Sequence, residues 1–323
     1  MSLMDGVVVI DKPQGITSHD VVARSRHILH ERRIGHTGTL DPFATGVLVL
    51  LLGRATRLAQ FLSGVDKEYE AIIRLGYATD TGDRTGTPIP PVAESKNRTR
   101  LEDWTEQEIE AALQTLRGDI EQVPPMYSAK KVEGKKLYEL ARRGESIERR
   151  PIRVSILEFE PIRPDGQLIK DNHDGTFDFH ARVSCSSGTY VRTLAEDFGR
   201  HLYVGAHLAE LRRTRVGDLQ ISQAITLDQL KVHKNEESLG TVVLPPGAAL
   251  SRLPFVHLSG EDVRRANHGR EVSVAEAEWA DGQNVKMCDT DEHLVAVGQY
   301  DASAKTLHPR VVLAGDASLQ NKH

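Results

Sequence analysis

A chain of 323 residues with 39% hydrophobic and 27% charged side chains is a folded globular protein with room for two domains, and neither a disordered nor a fibrous one. Its two cysteines, Cys185 and Cys288, lie far apart without histidines at ligand spacing, which excludes a disulfide framework or a cysteine zinc site and fits a reducing compartment. A net charge of −5 argues on average against a nucleic-acid partner, yet residues 128–153 carry nine Lys/Arg against four Glu, and residues 24–36 four arginines against one glutamate.

The N-terminus passes from "MSLMDG" into "VVVIDKPQG" without a basic region, a long apolar core or a cleavage site. The longest apolar run, "VLVLLL" at 47–52, is too short to span a membrane and reads as a buried strand. A cytoplasmic protein with no membrane partner is expected.

In chain order, "GVVVI" predicts a strand that turns through "DKPQG" into a helix. Thr17 and Asp20 have the spacing of a capping box, and Val21, Val22, Ser25, Ile28 and Leu29 line one helical face. The segment "RRIGHTGTLDPFATG" (32–46) follows, placing one carboxylate, Asp41, among small turn-forming residues. Ordinary Asp-Pro turn chemistry explains such a stretch, and so does a rigid loop that presents one carboxylate to a bulky ligand. After the strand at 47–52, "ATRLAQFLS" reads as a short helix. Residues 67–77 alternate Tyr69, Ala71, Ile73, Leu75 and Tyr77 on one side of a strand. Residues 81–100 read as a loop, and Thr105 with Glu108 caps a helix burying Ile109, Leu113 and Leu116.

The basic segment, about 122–153, carries a helical stripe of Leu137, Leu140 and Ala141. A solvated, salt-bridged helix face and a phosphate-attracting stripe both fit it. Strands are expected near 152–160 and 176–185, the second alternating Phe177, Phe179, Ala181, Val183 and Cys185, and "SSGTYVRTLAEDFGRHL" reads as a loop feeding a helix. Prolines and glycine in "LPPGAALSRLP" (244–254) mark a break between a domain at 1–250 and a small β-rich domain at 251–323. Strand pairs close in sequence predict an α+β fold with a mixed, mainly antiparallel sheet.

The sequence lacks a G-x-x-x-x-G-K-[ST] loop, a G-x-S-x-G elbow and an H-E-x-x-H motif. The carboxylate loop, the basic stripe and the Tyr and Arg of "SSGTYVRTL" remain, a combination that suits a flipped nucleobase. At this point "GHTGTLDPFATGVL" resembles the catalytic motif of the TruB-type tRNA pseudouridine synthases. "VVVIDKPQGITSHDVV", "DKEYEAIIRLGYATDTGD", "VPPMYSAKKVEGKKLYELARRG", "CSSGTYVRTLAEDFG" and "VGAHLAELRRTRVG" resemble further motifs of that family, in the family's order.

The resemblance implies a pseudouridine synthase fold with a PUA-like C-terminal domain. It makes Asp41 the catalytic residue, paired with Arg192, with Asp83 as a second partner of the guanidinium. It places Tyr69 against the flipped base, Tyr190 and Leu211 on the nucleotide, and His36 beside the vacated base position. Lys12 and Pro13 would support the catalytic loop, and Lys130, Lys131, Lys135, Lys136, Arg142 and Arg143 would grip the tRNA T-arm. The implied reaction isomerises uridine 55 of the T-loop without cofactor or metal, in a monomer. Plainer readings keep Tyr69 and Leu211 as core, Arg192 as a surface cap and His36 as a turn residue. A non-catalytic tRNA-folding chaperone using the same groove would leave Asp41 dispensable. A nucleoside glycosidase would need a second carboxylate at defined separation.

Overall fold

The computed structural model describes residues 5–90, 103–126, 131–132, 135–136, 149–274 and 278–313. Strands β1 (Gly6–Lys12), β2 (Thr45–Leu52), β3 (Lys67–Leu75), β4 (Gly118–Gln122), β5 (Ile152–Pro161), β6 (Phe177–Cys185) and β7 (Ala206–Val216) form the main path of a ten-stranded sheet, in the order β1-β2-β7-β3-β6-β5-β4. Neighbours along this path are antiparallel except β2 and β7, which run parallel where Arg212 and Arg213 face Thr45 and Gly46. The short strand Ile34–Thr37 pairs with β2. The mixed, mainly antiparallel α+β fold is as expected.

Helices α1 (Ser18–Leu29), α2 (Glu106–Thr115), α3 (Val191–His201) and α4 (Leu227–Asn235) pack on this sheet. The Thr17 hydroxyl accepts from the Asp20 N–H and the Asp20 carboxylate accepts from the Thr17 N–H, which satisfies two of the donors that open α1. Thr105 caps α2 in the same way through the Glu108 N–H. Strands β1 and β2 are apolar without alternation because both of their faces are covered. Val8, Ile10, Leu48, Leu50 and Leu52 pack on Val21, Val22 and Leu29 of α1 and Leu230 of α4. Val7, Val9, Val47, Val49 and Leu51 face the other way, toward Leu250, Val297, Val311 and Leu313. Strands β3 and β6 alternate as the sequence predicts, burying Tyr69, Ala71, Ile73 and Leu75 with Phe177, Phe179, Ala181 and Val183 against α2 and α3.

Strands β8 (Phe255–His257), β9 (Val272–Ser273), β10 (Asn284–Cys288), β11 (Leu294–Asp301) and β12 (Thr306–Val312) form a separate sheet, ordered β8-β10-β11-β12-β9, with helix α5 (Gly260–Asn267) against it.

Some local expectations change. The helix expected from "ATRLAQFLS" is a 3-10 stretch, Gly53–Leu58, followed by one α turn, Ala59–Leu62. The strand from residue 67 stops at Leu75, because Gly76 takes φ 129 and bonds to the Gly205 carbonyl. The proline-rich break is packed: Leu244 exchanges backbone hydrogen bonds with Val7, and Leu250 joins the core. The stripe Leu137, Leu140 and Ala141 lies outside the described residues.

Candidate active site

The loop between the strand Ile34–Thr37 and β2 is pinned from several sides. Its Asp41 carbonyl accepts from the Ala44 N–H at 3.1 Å, closing a β-turn with Pro42 at the position its fixed φ favours. Leu40 and Phe43, flanking the turn, insert into the core below. Leu40 also exchanges hydrogen bonds with the Ser18 hydroxyl, its N–H donating at 2.9 Å and its carbonyl accepting at 3.2 Å. Gly46 takes φ 98, and a Cβ there would collide with the backbone of Arg213 on β7, so the loop enters β2 where only glycine fits.

The segment "DKPQG" supports the loop from below. Lys12 is fully buried, and its Nζ donates to the carbonyls of Pro13 at 2.9 Å, Ile16 at 2.8 Å and Pro42 at 3.3 Å. Gln14 Nε2 donates to the Phe43 carbonyl at 3.3 Å, and the Gly15 N–H to that of Pro42 at 2.8 Å. Burial lowers the Lys12 pKa to about 8, so the ammonium persists at neutral pH. Pro13 itself is exposed.

Asp41 meets the expected arginine. Arg192 Nε lies 3.0 Å from Asp41 Oδ2, and Arg192 Nη1 lies 3.7 Å from Asp83 Oδ2. The guanidinium and Asp83 are each 6% exposed, whereas Asp41 keeps 35% of its side chain open. Arg192 also donates through Nη1 to the Thr81 carbonyl at 3.0 Å, while Asp83 Oδ1 accepts from the Thr85 N–H at 2.9 Å and from its hydroxyl at 2.6 Å. The fork is therefore fixed by α3 on one side and by the turn after β3 on the other. Burial pushes the Asp41 carboxyl above the ordinary carboxylate range, Arg192 pulls it back, Asp83 raises it and Lys12 lowers it. This carboxylate is aligned, half-open, and held close to cations.

Tyr69 and Leu211 sit on adjacent strands, β3 and β7, in one core cluster with Leu40 and Phe43 from the loop. Both are mainly buried, and burial raises the Tyr69 phenol pKa. Tyr190 is half-buried at the start of α3, where its backbone exchanges hydrogen bonds with the Gln122 side chain. His36, half-buried, stacks edge-on to His19 at 5.3 Å between ring centroids, and burial lowers its pKa to about 4. Its Nδ1 is a buried atom without a hydrogen-bond partner. Of the basic segment, Lys131 and Lys136 face each other across a short two-stranded ladder with Val132 and Lys135. Lys130, Arg142 and Arg143 lie outside the described residues.

Sequence reasoning missed Arg213 and Lys67. Arg213 is fully buried under the loop, and Lys67 is nearly so, with its pKa lowered by burial to about 8. Within "ELRRTRV" only Leu211 was singled out. The one usable signal was the two-residue step from Leu211 to Arg213, which puts both on the same face of a strand.

Comparison with known proteins now bears on the site. The family "TruB family pseudouridylate synthase (N terminal domain)" matches residues 26–191, and "tRNA pseudouridylate synthase B C-terminal domain" matches residues 192–251. The chain belongs to the TruB family. Proteins named tRNA pseudouridine synthase B are similar to it at full length. The one from Solibacter usitatus is 40% identical over 96% of this chain and 100% of that protein. The one from Bacillus cytotoxicus is 39% identical over 98% and 100%. Among solved structures, an H/ACA RNP bound to a substrate RNA containing 2′-deoxyuridine shares 26% identity at a TM-score of 0.70, covering 96% of this chain and 85% of that one. A Cbf5-Nop10-Gar1 complex shares 28% at 0.69, covering 96% and 84%. Membership of TruB carries pseudouridine synthesis in tRNA, an isomerisation. No helix among the described residues is long and apolar enough to cross a membrane.

Proposed function

We propose that this TruB protein isomerises uridine 55 in the T-loop of tRNA to pseudouridine, with Asp41 as the residue that acts on the extruded nucleotide. In this reaction the N1–C1′ bond breaks, the uracil turns while held, and C5 bonds to C1′, after which the C5 hydrogen leaves as a proton and N1 gains one. Attack on sugar or base, and proton abstraction from the ribose, each require an aligned, ionised carboxylate. The observation that carries the reading is the Asp41–Arg192 pair, open to solvent at the carboxylate and buried at the guanidinium. Tyr69 offers a stacking face beside it, Leu211 and Tyr190 an apolar and an aromatic contact, and His36 a neutral ring toward the space that the base vacates. Extrusion costs a few kcal/mol of unstacking, which these contacts offset.

Unmodified tRNA transcript incubated with the protein should gain pseudouridine at position 55, and a transcript with cytidine there should gain none. Asp41→Asn should bind transcript within a few-fold of the parent and lose at least about a thousandfold in rate. A variant retaining a tenth of the parent's rate overturns the assignment and favours the chaperone reading.

The basic segment grips the T-arm in this reading, residues 251–323 form a PUA-like RNA-binding domain, and the protein acts as a monomer. Each phosphate contact releases a counterion, giving a log–log salt slope of roughly −0.9 per contact on duplex. Lys135→Gln with Lys136→Gln should flatten the slope by about one to two units at little change in saturated rate. Parallel salt plots would remove these lysines from the interface.

A further inference from the structure

The basic stretch at residues 24–36 has no task in the function proposed above. It forms the second half of α1 and the turn into the strand Ile34–Thr37. Val21, Val22, Ser25 and Leu29 are the buried side of α1, which leaves Arg24, Arg26 and His27 exposed, and His30, Arg32 and Arg33 in the turn are exposed as well. The acids nearby are otherwise engaged. Asp20 accepts from the Thr17 N–H at 2.9 Å and from its hydroxyl at 2.6 Å, and Glu31 accepts from the Arg33 N–H at 2.7 Å. None of the four arginines makes an ion pair with another described residue. The negative end of the helix favours Arg26 and His27 in its last turn, but Arg32 and Arg33 lie beyond its reach.

Contacts on two sides of Asp41 place this stretch. On one side Arg192 meets Asp41 at 3.0 Å, and the backbone of Tyr190, two residues before it, exchanges hydrogen bonds with the side chain of Gln122, the last residue of β4. The basic segment at about 122–153 starts there. On the other side Leu40 exchanges hydrogen bonds with the Ser18 hydroxyl, and the next residue of α1, His19, stacks edge-on to His36 at 5.3 Å. Two turns further on, Arg26 Nη2 donates to the Ile34 carbonyl at 2.7 Å, so α1 runs back along the strand Ile34–Thr37 and away from Asp41. The Asp41 loop therefore lies between two basic stretches.

A nucleotide within an RNA strand carries a phosphodiester on each flank, and a strand that enters on one side of a loop leaves on another. Arginine forks suit those phosphates, because two parallel N–H groups meet two oxygens. Arginines already exposed and without an ion pair give up no carboxylate partner when they engage.

We propose that the exposed arginines of α1 and the turn after it bind phosphates of the RNA on the flank of the target nucleotide away from the basic segment, so that the strand is held on both sides of the Asp41 loop. The choice of partner rests on the proposed function; the surface and its charge do not. Such contacts set register and carry no base preference.

The test uses the full-length chain with Arg24→Gln and Arg32→Gln together, two exposed side chains that make no hydrogen bond among the described residues. On unmodified tRNA transcript the log–log plot of affinity against salt should be flatter than the parent's by about one to two units, at roughly 0.7 to 0.9 per phosphate contact. Parallel plots would overturn the proposal. A T-arm hairpin with uncharged methylphosphonates on one flank of the target uridine then locates the contacts. Neutralising one flank should erase the difference between variant and parent, and neutralising the other should preserve it. The Lys135→Gln, Lys136→Gln variant should show the opposite pairing. A difference that is absent on the hairpin, that both flanks or neither erase, or that the same flank erases for arginines and lysines alike would overturn the two-sided grip, and so would lysines without any effect. A parent that binds the transcript but forms no pseudouridine defeats the proposed reaction, and the salt plots still decide the surface.

Discussion

Two parts of the same sheet, the floor of the Asp41 loop and the seam behind β1 and β2, are held by different means. Under the Asp41 loop buried cations join the apolar core: Lys12, Lys67 and Arg213 are buried beside Leu40, Phe43 and Tyr69 and donate to backbone carbonyls. Behind β1 and β2 the packing is apolar, with Val7, Val9, Val49 and Leu51 closed over by Leu250, Val297, Val311 and Leu313. Apolar contact gains free energy wherever shapes match and says little about orientation. A buried cation must be answered by acceptors at set positions, which fixes the loop at an electrostatic cost. The apolar seam adds stability, and the buried cations under the loop add orientation to packing that is otherwise apolar.

Breaking the seam should have the larger effect on stability. Leu313→Ala removes apolar volume at the seam with the C-terminal sheet and should cost about 2–5 kcal/mol in denaturant unfolding. The rate per folded molecule should stay near that of the parent, because the seam lies on the face away from Asp41. A cost below about 0.5 kcal/mol would mean that residues 251–323 rest on the main domain without sharing its core.

The loop floor should show itself in pH dependence. Lys12 and Lys67 have folded pKa values of about 8, below the ordinary 10.5. Between these pH values the unfolded chain holds protons that the folded chain has released, so stability should rise with pH across that window. The penalty is fully present below pH 8 and relieved by about pH 10.5. Comparing denaturant unfolding of the parent with Lys12→Met from pH 7.5 to 10.5 isolates one contribution, on the order of 1–3 kcal/mol. Identical pH curves would mean that the ammonium is solvated and the contrast between the two parts false.

The two parts also differ in how much of them the sequence betrays. Unbroken apolar runs announce a strand covered on both sides, and "GVVVI" and "VLVLLL" behave so. The Thr17–Asp20 capping box and the alternation in β3 and β6 are equally local, and they appear where expected. Strand β7 was harder. Register shifts between Leu208 and Glu210 and between Arg213 and Arg215 break its period, so no alternation marks its cations as buried. The packed seam at 244–254 was also hidden, since its prolines look like a linker while Leu244 is bonding to Val7 from across the chain. At the site, the motif residues Asp41, Arg192, Asp83, Tyr69, Leu211 and Lys12 converge because the motifs mark positions that have a local signature. Arg213 has none. Its burial follows only from which strands lie beside it.

Strand β1 has a consequence for how the protein is made. Its partners include β2, but also Ile225 and Leu244, whose backbones bond to Val9, Asp11 and Val7. During synthesis β1 therefore waits for residues more than two hundred positions later before its hydrogen bonds are complete. The Asp41 loop is in the same situation, since Arg192 and Arg213 both belong to the late part of the chain. Long-range pairing of this kind slows folding and leaves apolar edges open meanwhile. A partly synthesised chain would carry Asp41 in a loop that nothing yet holds, so activity should appear only after synthesis has passed Leu244.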